Sequence, residues 1–340
     1  MRWSREPLYG RSMARSPLVP VALVLLVAPV TAEYLIGYDD ILMRPAALVF
    51  GLVFFAPLYG APALLIRETA RRRGLGWPSM LLMATAFGLV QAGLVDQSLF
   101  DPDYRAIPYW DSLRGPTFVA PWGTSAYMVL TFVSGHVLGS MAAPIALAES
   151  WSTTRGPWLR PRGLVLAALA WAAASAFILF DHLGSTDARI TWGQGLGTGA
   201  VALLLVLVAL RLSPVAPRRG RVPSPWIVLA VTTALLATGS LVQTGWLSTA
   251  ALAAAFAVAL GLLWRWGTRD GWTGRHTVAA VTGDLLSIGV PAFWVEPLGG
   301  ASLGPKLVTN AALLAIVLAV AARGLVVQRR LPSPLSPERA

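Results

Sequence analysis

Ten long apolar stretches alternate with short polar loops along the chain, at about 17–37, 45–66, 78–100, 124–149, 162–182, 189–211, 225–243, 247–266, 276–297 and 306–328. A spanning helix needs about 20 apolar residues to cross about 30 Å of hydrocarbon, and each stretch is of that order. Inside a bilayer no water is present to satisfy backbone N–H and C=O groups, so a helix is the form such a segment takes. The pattern therefore predicts an all-α, polytopic integral membrane bundle of about ten transmembrane helices.

The basic residues orient it. Of 27 lysines and arginines, 22 fall on one side if the loops are assigned alternately: the segment before the first span, every second loop, and the segment after the last. The other side receives Arg44, Arg105, Arg114, Arg189 and Lys306, with Asp39, Asp40, Asp101, Asp103, Asp111 and Asp187. Cytoplasmic loops carry the arginine excess, so both termini are expected in the cytoplasm and the chain in the plasma membrane. Tryptophans agree, since most lie near span borders where amphipathic indoles settle; Trp171 is a mid-span exception. Residues 1–16 read as a basic cytoplasmic segment, 17–328 as the transmembrane domain and 329–340 as a disordered tail. Arg-rich residues 2–15 followed by an apolar run and Val30-Thr31-Ala32 also fit a signal peptide cleaved after Ala32, although a helix continued through Tyr34-Leu35-Ile36 is long enough to span.

Composition removes several chemistries. The chain is 56% hydrophobic and 13% charged, with mean hydropathy +0.63, which no soluble domain of this size approaches. It has no cysteine, so thiolate metal sites, disulfides and cysteine nucleophiles are excluded. A net charge of +11 would suggest nucleic acid in a soluble protein, but here it sits at membrane borders and points to lipid headgroups as partners instead. No cofactor or metal is expected, and no nucleic acid; a small molecule or protein partner stays open.

Polar side chains at depth are costly and each is a functional candidate. Glu33, Gln91, Asp96, Gln97, His136, Gln194, Asp284 and Asn310 form that set, with Asp181 and His182 nearby. Gln91 and His136 fall near the midplane; Asp96, Glu33, Gln194 and Asn310 fall in the outer half. On an α-helix Gln91 and Asp96, five residues apart, point about 140° from each other and do not share one wall. Interhelical hydrogen bonding at about 0.6 kcal/mol per contact is the competing explanation for any one of them. Glu68 stands at ion-pair spacing from Arg71 and Arg72, and with Glu149 and Glu296 reads as a border residue. Gly193, Gly195, Gly197 and Gly199, together with Gly135 and Gly139, read as close helix packing rather than a phosphate loop.

Phe132-Val133-Ser134-Gly135-His136, following a helix that carries Gln91-Ala92, resembles in spacing the Phe-x-x-x-His motif of CAAX-processing and bacteriocin-processing membrane proteases over 78–150. The resemblance implies a metal-holding or water-activating site on paired glutamates, and here Gln91-Ala92 stands in their place, Asp96 at the arginine position, and no later His-x-x-x-Asn follows. A non-proteolytic relative is therefore expected, without catalytic residues. Two further classes fit the residues. Ten spans divide into five plus five, with Pro20 and Pro29 in the first span and the glycine set in the sixth, as in secondary transporters with broken helices. Asp39-Asp40 and Asp101-Pro102-Asp103 on one surface are similar to the acidic positions of lipid-linked glycosyl or phosphoryl transferases.

Overall fold

The computed structural model describes residues 17–39, 42, 44–154, 156–241, 244–298 and 303–330. The expectations for residues 1–16 and for the tail beyond 330 lie outside the described residues, as do Asp40, Arg155, Val242 and Gln243. Eight helices are long and apolar enough to cross a membrane: Pro45–Arg72 (α2), Trp77–Val95 (α3), Ala126–Trp151 (α4), Pro161–Ser185 (α5), Trp192–Arg211 (α6), Trp246–Gly267 (α8), Gly274–Phe293 (α9) and Leu303–Arg329 (α10). Two shorter apolar helices, Leu18–Tyr34 (α1) and Pro225–Leu236 (α7), complete the series. The chain is an all-α polytopic membrane bundle.

Boundaries moved where local chemistry outweighs apolar length. α2 runs past the expected end at 66 to Arg72, because its arginines find partners at the bundle's end instead of leaving the helix. α7 stops at Leu236, short of 243: Thr238-Gly239-Ser240 are poor helix formers, and only a short turn of helix, Thr238–Leu241, follows. α3 ends at Val95 rather than 100, and Gln97 adopts a left-handed backbone (φ 55°) that turns the chain out of the helix.

The helices divide into core and periphery. In α3, 61% of the most apolar window is buried, against 6%, 11% and 17% in α5, α6 and α8. Those three present Leu, Val and Phe to their surroundings, as lipid-facing helices do. α1 packs between α2 and α4, α4 meets α9 and α10, and α7 lies along α9. Val24 and Ala28 of α1 are wholly buried, so the segment ahead of the candidate cleavage point is an integral part of the core.

The arginine-rich end is locked by ions rather than by apolar packing. Arg67 and Glu68 are both fully buried and pair at 2.6 Å. Glu68 also accepts the backbone N–H groups of Trp158 (2.8 Å) and Leu159 (3.2 Å) and reaches Arg72 at 3.3 Å. Glu149 of α4 accepts from Arg67 at 3.1 Å and twice from Arg71 at 2.6 Å, while the Arg67 guanidinium lies 3.4 Å over the Trp158 ring. Glu68 and Glu149 stand at helix ends in ion pairs, as border residues should, but they are buried there. They are the shared acceptors of a clamp joining α2, α4 and the loop into α5, and Glu68 pairs with Arg67 and Arg72, leaving Arg71 to Glu149. Glu296 is exposed, as a border residue should be.

Candidate functional site

Proline and widened helical turns build the site. Among the described residues, four stretches form i→i+5 hydrogen bonds in place of i→i+4: Val30–Tyr34 in α1, Ala56–Gly60 in α2, Gln91–Val95 in α3 and His136–Ala142 in α4. The closing bonds are Leu35 N–H to Val30 O, Ala61 N–H to Ala56 O, Asp96 N–H to Gln91 O and Ala143 N–H to Leu138 O. Pro29, Pro57 and Pro144 stand inside or within two residues of three of these stretches. A proline has no N–H and clashes with the carbonyl four residues back; for Pro144 that carbonyl, of Ser140, lies inside the widened stretch of α4, where an extra residue relieves the clash. Such π turns concentrate at functional sites because they re-aim side chains that a regular helix would hold elsewhere.

Each widened turn carries or adjoins a polar residue, and the turns of α1 and α2 both pack on that of α4. Thr31 donates to Gly139 O at 2.7 Å, satisfying a carbonyl within the widened turn of α4. The Tyr59 hydroxyl donates a short hydrogen bond to Glu33, whose other oxygen accepts from Tyr38 at 3.4 Å. The Tyr59 ring stacks on His136 at 5.9 Å, and Phe87 meets that imidazole edge-on at 5.6 Å. Gly88 lets α3 come this close, since a methyl there would stand 3.2 Å from the His136 Cβ. His136 Nδ1 shares a 3.1 Å hydrogen bond with Ser140. Gln91 Nε2 donates to Asp96 Oδ2 at 3.3 Å, and Ser98 N–H donates to Asp96 Oδ1 at 2.9 Å. Asp96 lies within electrostatic range of Glu33 and Tyr59. Glu33, Asp96 and His136 all keep partial exposure, so none is sealed in the core.

The loop after α3 covers the outer end of this layer. Trp110, on a one-turn helix Trp110–Arg114, is buried, donates to Asp101 O at 2.9 Å and packs on Phe132 at 5.9 Å. Strands Phe118–Val119 and Thr124–Ser125 then form a small hairpin that delivers the chain to α4. Tyr104 lies 5.0 Å from Trp110 and 5.8 Å from His182. Burial, with the Asp96 charge next in effect, pushes the Tyr104 phenol well above its usual range, and the Glu33 charge followed by burial does the same for Tyr38. Both therefore remain neutral hydroxyls. Between the start of this loop and the segment ahead of α6 opens a cleft of about 210 Å³ lined by Gln97, Phe100, Asp101, Pro102, Ala188, Arg189 and Ile190.

A family described as an uncharacterized membrane protein family matches residues 22–332. The chain belongs to that family. No curated protein and no solved structure matches it. The match spans all four widened turns and nearly the whole bundle, and no likeness to CAAX-processing proteases is found with it. In this family member the imidazole at the Phe132–His136 spacing faces Tyr59 and Phe87, not carboxylates. Among the described residues no three His, Asp or Glu side chains come together to hold a metal ion.

The structure brings Glu33, Gln91, Asp96 and His136 into one neighbourhood, with Gln97 at the adjoining cleft. Gln91 and Asp96 do share a wall, contrary to the 140° expected of an α-helix: in the widened turn five residues make about one revolution and the two side chains meet. Gln194 belongs elsewhere. It closes the capping box of α6 with Thr191 and donates to Trp122 O at 3.1 Å, which accounts for its polarity at a span's end. Asn310 is likewise a cap: with Lys306, one turn earlier, it donates to Ala292 O, at 3.0 and 2.7 Å, while Lys306 also reaches Val295 O. Lys306 is fully buried there, not in a loop, because a cation suits the carbonyl end of α9. Asp284 is buried on α9, away from the layer, and its Oδ2 has no hydrogen-bond partner among the described residues. α6 is an unbroken helix, so the glycine set does not match the interruption in α1; Gly197 and Gly199 face open space, as does Gly135, and Gly139 alone of the two glycines in α4 makes a close approach, to Thr31. Asp101 is used by its own loop, accepting Asp103 N–H at 2.9 Å and facing His182 at 3.7 Å. Asp181 is exposed.

Sequence reasoning missed Tyr38, Tyr59 and Tyr104. Tyr59 was findable in principle, as a hydroxyl inside an apolar span two residues after a proline. Tyr38 and Tyr104 lie in loops, and nothing in their local pattern marks them.

Proposed function

We propose that this chain is a permease-type membrane protein that binds a small solute at the layer formed by Glu33, Tyr59, Gln91, Asp96 and His136, without catalysing a reaction. The observation carrying this reading is the meeting of the widened turns of α1, α2 and α4 around Tyr59 and His136, with α3 bringing Gln91 and Asp96 alongside. Local departure from regular helix at depth is tolerated where backbone lines a cavity or is buried in protein, and it is a recurrent way of building transport sites. Hydrolysis has little support here, since an amide stands at Gln91 and His136 is held by two aromatic rings and Ser140. The arginine bias supports placing the clamped end toward the cytoplasm of a plasma membrane, with the layer opening on the opposite side.

Because the chain has no cysteine, single cysteines test this directly. Glu33→Cys, Asp96→Cys and His136→Cys, at partly exposed positions, should react with a membrane-impermeant thiosulfonate added from the arginine-poor side, whereas Leu147→Cys, at a wholly buried position, should not. Reactivity at the three positions no greater than at position 147 overturns the reading.

A further inference from the structure

We infer that the solute taken by this layer is a small primary ammonium cation. The inference rests on the binding-site reading above and adds the ligand's chemistry. Two carboxylates, Glu33 and Asp96, lie within electrostatic range of one another, and neither makes an ion pair among the described residues. Each ionised carboxylate offers about four lone-pair positions. Glu33 uses two, for Tyr59 and Tyr38, and Asp96 uses one for each oxygen, from Ser98 N–H and Gln91 Nε2.

The deciding group is Gln91. It is 1% exposed, its nitrogen is tied to Asp96, and its Oε1 has no hydrogen-bond partner among the described residues. A buried amide oxygen without a donor is costly, and this one is fixed beside a carboxylate by its own nitrogen. The unpartnered group that Gln91 brings to the layer is therefore an acceptor, set beside a carboxylate. The complement is a cation that brings several N–H donors, and an ammonium brings three. A divalent metal is a poorer match, since three ligating side chains do not converge among the described residues.

Titration calorimetry on the full chain in nanodiscs, with ethylammonium as probe, tests this. Saturable binding is expected, at least tenfold weaker for tetramethylammonium, which carries charge but no N–H donor, and for sodium. Glu33→Gln and Asp96→Asn should each weaken ethylammonium at least tenfold, and Asp284→Asn, outside the layer, should leave it unchanged. If either carboxylate variant does not elute as a folded particle, Gln91→Met, which removes the unpaired acceptor at similar volume, carries the test with an expected several-fold loss. Absence of saturable ethylammonium binding, equal binding of tetramethylammonium, or indifference to the folded variants overturns the inference. Cysteine reactivity at the layer without ethylammonium binding refutes the ligand assignment alone, whereas unreactive cysteines refute the site itself.

Discussion

Glu149 is an 8% exposed carboxylate held between Arg67 and Arg71, and its removal takes this acceptor from both guanidinium groups, leaving the fully buried Arg67 with Glu68 still beside it. Breaking a buried pair costs about 3–5 kcal/mol because the partner charge stays behind. Glu149→Gln should therefore lower the thermal midpoint in detergent substantially, with Glu149→Asp intermediate; a midpoint unchanged within error would show the clamp to be dispensable. The same scale explains what the sequence could not reveal. Polarity at depth flagged Gln194 and Asn310 as readily as Gln91 and Asp96, because a cap and a binding group present the same residue type. Telling them apart needs the partner, and the partner lies 18 residues away for Asn310 and 72 for Gln194.

Between the ends of the spans, the elements were legible from apolar length alone, and their interruptions were not. A window of about 20 apolar residues looks the same whether or not one turn holds an extra residue. Pro29, Pro57 and Pro144 were visible, but α3 carries no proline near Gln91–Val95, so its widened turn had no local mark. Face assignment fails for a related reason: lipid and core are both apolar, so periodicity does not say which side of a helix points inward. Deleting Leu94 should return that turn to i→i+4 bonding, and because Gln91 and Asp96 are then four residues apart they still share a face. Helix content by circular dichroism and ethylammonium binding should both hold. A tenfold loss of binding in the deletion variant would mean that the site needs the widened turn itself and not the shared face it creates.

Counting the two shorter apolar helices with the eight long ones, the proposed order of spans puts the two ends of the bundle on one face, and the arginine bias is the reason to expect that face in the cytoplasm. Fusions after Arg330 should give a fluorescent GFP and an inactive alkaline phosphatase, with the opposite pattern after Arg189; the reverse pair would invert the whole map. Two of the ten helices link both ends of the molecule. α2 carries Tyr59 and, eight residues on, Arg67; α4 carries His136 and, thirteen residues on, Glu149. At about 1.5 Å per residue those intervals are lever arms of about 12 and 20 Å, riveted together at the arginine-rich tip by ions and meeting further along through stacked rings. Two rods pinned at one tip part like tweezers, so any spreading of this pair widens the gap between Tyr59 and His136 toward the far surface and leaves the pinned tip shut.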